Sequence, residues 1–180
     1  MQKKHLLILL MALALGCTQQ QKFGPYGSAH EHADFKVYIL GTAFNFSDEK
    51  YQTPVLPGAG ESCYNESTLV HLHNGDGELV HKHASGVTWG YFFSTLDITL
   101  SDNCFAFDNG TRYCNDAQNR WRFFINGQEV PSLVNSEIRD LGRVLLTYGS
   151  NEGEIRKQLA SVSSKASQEK DAGFCAVNAS

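Results

Sequence analysis

The sequence predicts an α+β fold in which strands predominate, and three observations carry that expectation. Aromatic and β-branched residues recur in short runs such as "FKVYIL", "WRFFI" and "VLLTY", which suit a pleated, half-buried surface. Glycine-bearing turns at "NGDG" and "INGQ" separate such runs as hairpin connections do. Two stretches, "SGVTWGYFFSTLDI" and "SNEGEIRKQLASVSSKA", read instead as helices. With 180 residues, 42% of them hydrophobic, the chain can bury one ordinary core.

Residues 1–16 stand apart as an export signal. Lys3 and Lys4 precede an apolar run and then small residues before Cys17, a pattern too short and too early for a normal membrane span. Gly16-Cys17 resembles a lipobox, in which Cys17 is lipidated and becomes the N-terminus; Ala14 stands where a leucine is usual, and an ordinary cleaved signal is the alternative. Either way the expected location is outside the cytoplasm, on the outer face of its membrane or at the cell surface. Contact with the membrane is then through the lipid anchor alone. Removing residues 1–16 leaves 13 basic against 19 acidic side chains, a formal charge of −6. That balance offers no basic stripe for nucleic acid. Residues 17–29 read as a polar tether, and 30–180 as a single β-rich domain.

Within that domain "HADFKVYIL" alternates cleanly. Ala33, Phe35, Val37 and Ile39 face one way and His32, Asp34, Lys36 and Tyr38 the other. Residues 47–66, broken by Pro54 and Pro57, are assigned little structure. Thr88 or Ser85 can cap a short helix bearing Trp89, Phe92, Phe93 and Leu96 on one face. "DITL" is a short strand, "RWRFFINGQEV" a hairpin through Asn126-Gly127, and "RVLLTYG" a further strand. Ser150 or Asn151 begins a closing helix with acids in its first turn and bases later.

Beyond Cys17 four cysteines remain, as expected of an oxidising compartment. In "CFAFDNGTRYC", a three-residue loop of Asp108, Asn109 and a left-handed Gly110 sets Cys104 opposite Cys114, close enough for a disulfide. Cys63 and Cys175 then pair by elimination. No Cys-x-x-Cys occurs, so a thioredoxin-type role lacks its motif. Sequons at Asn45, Asn65, Asn109 and Asn178 are glycosylation candidates.

The order of the helix in "GVTWGYFFSTLDI", the Asn-Gly hairpin of "RWRFFINGQEV" and the strand of "EIRDLGRVLLTYG" resembles β-grasp domains, notably the small sulfur-carrier proteins, over residues 69–149. The resemblance implies a sheet with one short helix packed across it. The disulfide hairpin becomes an insertion and the C-terminal helix an addition. The carrier function does not follow, because the chain does not end in the Gly-Gly those proteins use. "HEHADFKVYI", the later His-x-His pairs, "FFINGQEV" and "LLTYG" also resemble a group of small exported proteins of archaea and candidate-phylum bacteria. Some of these are labelled disulfide isomerases, for which this chain has no active-site motif.

The six histidines outside the signal fall in three His-x-His pairs: His30 and His32, His71 and His73, His81 and His83. If "NGDG" is a type I turn followed by a left-handed Gly77, a three-residue loop places His71 opposite His81. All four histidines of this hairpin then share one face, with Val70, Leu72 and Val80 on the other. A two- or four-residue loop slips the pairing by one and splits the histidines between faces. If "HEHADFKVYI" pairs alongside, His30, His32 and Asp34 join them. Imidazole with carboxylate, and no methionine outside the signal, suits Cu(II) or Zn(II). One ion with a supporting shell and two separate sites are both open.

The expected function is therefore binding of a divalent transition metal, copper or zinc, by His30, His32, His71, His73, His81, His83 and Asp34. Catalytic residues are not identified. "HLHNGDGE" does match the His-x-His-x4-Glu core of the cupin motif, which leaves a metal-dependent enzyme as an alternative. Another alternative is an assembly subunit that adds the His30–Leu40 strand to a copy of itself or to another exported protein. A solvated or pH-titrating histidine face is the bland explanation.

Overall fold

The computed structural model describes residues 23–53 and 69–169. The export signal, Cys17, Cys63, Cys175, Asn65 and Asn178 lie outside the described residues. Among the described residues no helix is long and apolar enough to cross a membrane.

The architecture is α+β and mostly sheet. Strands β1 (Glu31–Ile39), β2 (Thr42–Ala43), β3 (Val70–His71) and β4 (Leu79–Lys82) precede helix α1 (Trp89–Thr95). There follow β5 (Ile98–Leu100), β6 (Cys104–Phe107), β7 (Arg112–Cys114), β8 (Arg120–Ile125), β9 (Gln128–Val130), β10 (Arg143–Gly149) and helix α2 (Glu152–Ser161). The large sheet runs β3-β4-β1-β10-β8-β9, with β2 folded back on β1, and β5-β6-β7 form a separate small sheet. β1 and β10 are parallel, with Val37 opposite Leu146; the other neighbours in the large sheet are antiparallel.

The alternation of β1 decides which residues meet the core. Ala33, Phe35 and Val37 are fully buried on one face, where α1 packs with Phe92 5.3 Å from Phe35 between ring centroids. Thr88 caps α1 by accepting from Tyr91 N–H, and Trp89, Phe92 and Phe93 are its buried stripe. Phe105 of the small sheet closes the same core against Phe93. The opposite face carries α2, whose Ile155 and Leu159 pack with Phe124, Leu145, Val162 and Tyr38. β10 is thus covered on both faces, as a central strand paired in parallel requires.

The cysteine hairpin forms as its spacing predicts. Gly110 has φ of 86°, Cys104 pairs with Cys114, and the two are joined by a disulfide. Asn126 and Gly127 both have positive φ, the type I′ geometry that links β8 to β9.

Two expectations need correction. The turn at 74–77 is not a type I turn completed by a left-handed Gly77. Asn74 and Gly75 take the positive φ values, 58° and 71°, and Asp76 N–H donates to His73 O at 3.0 Å. Gly77 is required for a different reason: a Cβ there would fall 2.5 Å from Ser47 N. Residues 76–78 absorb the offset, so the expected register survives the changed turn. The stretch beginning at residue 47 also holds more structure than assigned, a 3-10 turn at Glu49–Tyr51 with Tyr51 buried.

Candidate functional site: a six-histidine face

Three adjacent strands build the site. His32 of β1 lies opposite His81 of β4, and His81 lies opposite His71 of β3. One row therefore crosses three strands with a histidine on each. The other members of the pairs, His30, His83 and His73, sit two residues away on the same face. Val70, Leu72 and Val80 point the other way and are fully buried in the main core. That burial is what holds the register: a one-residue slip would exchange three apolar side chains for imidazoles.

The segment around the row is tied down on both sides. Thr53 N–H donates to Leu72 O at 2.8 Å beside β3, and His83 N–H to Leu69 O at 2.8 Å. Gln52 accepts from Gly75 N–H and donates to Phe46 O, which fixes the hairpin tip. Gly24 and Gly27 donate to Ser85 O and His83 O, bringing Tyr26 to 5.3 Å from the His83 ring.

The six imidazoles form a closed circuit. Centroid separations are 5.0 Å for His30–His32, 4.7 Å for His32–His81 and 3.9 Å for His81–His73. They continue at 5.3 Å for His73–His71, 5.1 Å for His71–His83 and 5.3 Å for His83–His30. His71 and His81 are also in direct contact at 5.6 Å, their planes 9° apart. His32, His71, His73 and His81 are buried, and His30 and His83 are half-buried.

Burial and mutual repulsion hold His71, His73, His81 and His83 towards the neutral form. Burial, then the neighbouring imidazoles, pushes His71 down to about 3 and His83 down to about 4. His81 is held far below the ordinary imidazole range by the same causes. His73 is lowered by burial, against the opposing pull of Asn74, Glu169 and Asp76. A neutral imidazole keeps the nitrogen lone pair with which it ligates a metal. As the rings stand, no three or more His, Cys, Asp or Glu side chains among the described residues are set to hold one ion.

The structure does not bring Asp34 into the circuit. Its carboxylate accepts from Ser163 Oγ, from Lys165 N–H at 2.8 Å and from Ala166 N–H at 3.1 Å. It caps a C-terminal 3-10 turn, Lys165–Gln168, and Lys165 reaches on to Asp76 at 2.8 Å. Glu78 of the cupin-like match pairs with Lys36 at 2.8 Å. β1 is paired on both sides, by β4 and β10. Asn45 is exposed outside any strand or helix, and Asn109 is exposed on the turn between β6 and β7.

Three features around the site had no clear signal in the sequence. The segment 162–169 lies across the histidine-bearing face because Asp34, 129 residues from Ser163, captures it. Tyr26 comes from what reads as tether. Lys82, fully buried on the core side of β4, donates to Glu31 at 2.6 Å, Glu137 at 2.9 Å and Ile138 O at 2.7 Å. Alternation places Lys82 on the Val80 side of β4, but nothing in the sequence names Glu31 and Glu137 as its partners.

No family model, curated protein or solved structure matches the chain.

Proposed function

We propose that the protein binds a divalent transition metal, Cu(II) or Zn(II), through the histidine face. The observation that carries this reading is the closed circuit of six imidazoles, with adjacent centroids 3.9–5.3 Å apart. A solvated surface does not account for it, since four of the six are buried. A purely structural core would be expected to use apolar side chains, which bury without polar atoms to satisfy.

Binding requires the rings to turn so that their nitrogens converge. Each off-rotamer adjustment costs about 0.5–1.5 kcal/mol, so three cost about 2–5 kcal/mol. Structural zinc sites in finger peptides gain about 10–16 kcal/mol on binding, so the reorganisation is well within reach. Cu(II) is favoured over Zn(II) by intrinsic affinity for nitrogen ligands. Asp34 acts in this reading as the anchor of the C-terminal segment rather than as a ligand.

The sheet order β4-β1-β10-β8-β9, the parallel β1–β10 pair and α1 following β4 support a β-grasp-like arrangement with β3 added at one edge. The basic-then-apolar pattern of residues 1–16 and the lipobox-like Gly16-Cys17 support an exported, lipid-anchored binder. The cupin-like alternative draws no support from Glu78, whose carboxylate is turned to Lys36.

The test is a double variant, His71→Ala with His81→Ala, in the full chain secreted into an oxidising compartment. Stoichiometric Cu(II) or Zn(II) binding by the parent and its loss in the variant, with unchanged circular dichroism, is the expected result. Full stoichiometry in a folded double variant would overturn the site.

A further inference from the structure

We propose that the circuit is two sites, each of three imidazoles, holding two ions side by side. His71, His73 and His81 surround an inner ion, and His30, His32 and His83 an outer one. This rests on the metal-binding reading above.

Geometry requires a division if all six histidines are ligands. Strands lie about 4.8 Å apart and rise about 3.3 Å per residue. His30 and His73 are separated by two strands and about four residues along them, hence by roughly 16 Å between Cα atoms. An imidazole bound through its far nitrogen puts the ion about 6.5 Å from Cα, so one ion spans at most about 13 Å between two histidines. His30 and His73 therefore cannot share an ion.

The neighbours of these two rings select the grouping: His30 contacts His32 and His83, and His73 contacts His71 and His81. With metal–nitrogen bonds of about 2.0 Å, two imidazoles meeting one ion at 90–120° have centroids about 4.5–5.5 Å apart. The inner three stand in mutual contact at 3.9, 5.3 and 5.6 Å. In the outer three, His30 stands 5.0 Å from His32 and 5.3 Å from His83. The His71–His73 separation and both His30 separations fall in that range, whereas His73–His81 at 3.9 Å and His71–His81 at 5.6 Å lie just outside it, so the inner rings must shift as well as turn to share an ion. Contacts of 4.7 Å for His32–His81 and 5.1 Å for His71–His83 join the groups, and on the strand spacings above the centres of the two triads lie about 9 Å apart.

The two sites differ in access. The inner triad is buried. The outer one includes the half-buried His30 and His83, with Tyr26 beside His83. An outer ion with three protein ligands keeps a coordination position open to a small ligand from solvent, the condition that separates reactive from structural sites.

The experiment is Cu(II) titration of the full chain, with copper counted by elemental mass spectrometry and its signal recorded by electron paramagnetic resonance. The parent is expected to bind two copper ions per chain and to show a signal broadened by dipolar coupling between them. His30→Ala with His83→Ala, both half-buried, should bind one ion whose signal lacks that broadening; His30→Gln with His83→Gln is the substitute if the alanine pair fails to fold. One copper per chain in the parent overturns the two-site proposal and leaves the metal-binding reading standing. Two coppers retained in the outer variant also overturn it. No stoichiometric binding by the parent overturns both.

Discussion

His71 and His81 face each other across β3 and β4 with ring planes 9° apart and centroids separated by 5.6 Å. That opposition brings the two later His-x-His pairs onto one side of the sheet. His32, opposite His81 on β1, extends the row to a third strand. The cluster is thus a consequence of strand register, which the apolar residues on the reverse face enforce.

Charge on the cluster should oppose folding. His71 and His83 are lowered from 6.5 to about 3 and about 4, so between those values and 6.5 the unfolded chain binds more protons than the folded one. The cluster's contribution is complete above about pH 6.5 and is lost as pH falls towards 3–4. Each proton taken up on unfolding steepens the dependence by about 1.4 kcal/mol per pH unit. Denaturant unfolding of metal-free protein from pH 7.5 to 5 should show falling stability, with a shallower slope in the His71→Ala, His81→Ala variant. Equal slopes would refute the assignment.

Asp34→Asn separates a ligand from an anchor. The substitution weakens three hydrogen bonds from Ser163, Lys165 and Ala166, and a buried charged acceptor of this kind is worth about 1–3 kcal/mol. Faster hydrogen exchange over residues 163–169 is expected, with metal stoichiometry unchanged. Loss of an ion without loosening of that segment would return Asp34 to the ligand set.

Lys82→Ala should be among the more damaging single changes. It leaves Glu31 and Glu137 without the ammonium that both contact, and breaking a buried pair in this way costs about 3–5 kcal/mol. Urea unfolding at neutral pH measures it. A loss under about 1 kcal/mol would mean that the network contributes little.

The sequence carried the local elements and much of the site. Alternation in "HADFKVYIL" separated the His32 face from the Phe35 face, and Asn126-Gly127 and Gly110 marked their turns because few other residues accept positive φ. The hairpin register followed from the need to bury Val70, Leu72 and Val80 together, even though the turn that delivers it uses Asn74 and Gly75. What stayed hidden depends on distant partners. Asp34 has the look of a ligand beside two histidines until Ser163 and Lys165 claim it, and Lys82, set on the Val80 side by alternation, shows no partner until Glu31 and Glu137 meet it. No local pattern encodes either contact.

The most direct measurement is the metal content of the purified full-length chain by elemental mass spectrometry, followed by competitive titration with Cu(II) and Zn(II). The account predicts stoichiometric, sub-micromolar binding at neutral pH that weakens as pH falls towards about 3–4, where His83 and His71 take up protons. Absence of metal, with only weak and non-stoichiometric uptake, would contradict it and leave the six histidines as a proton-sensitive face.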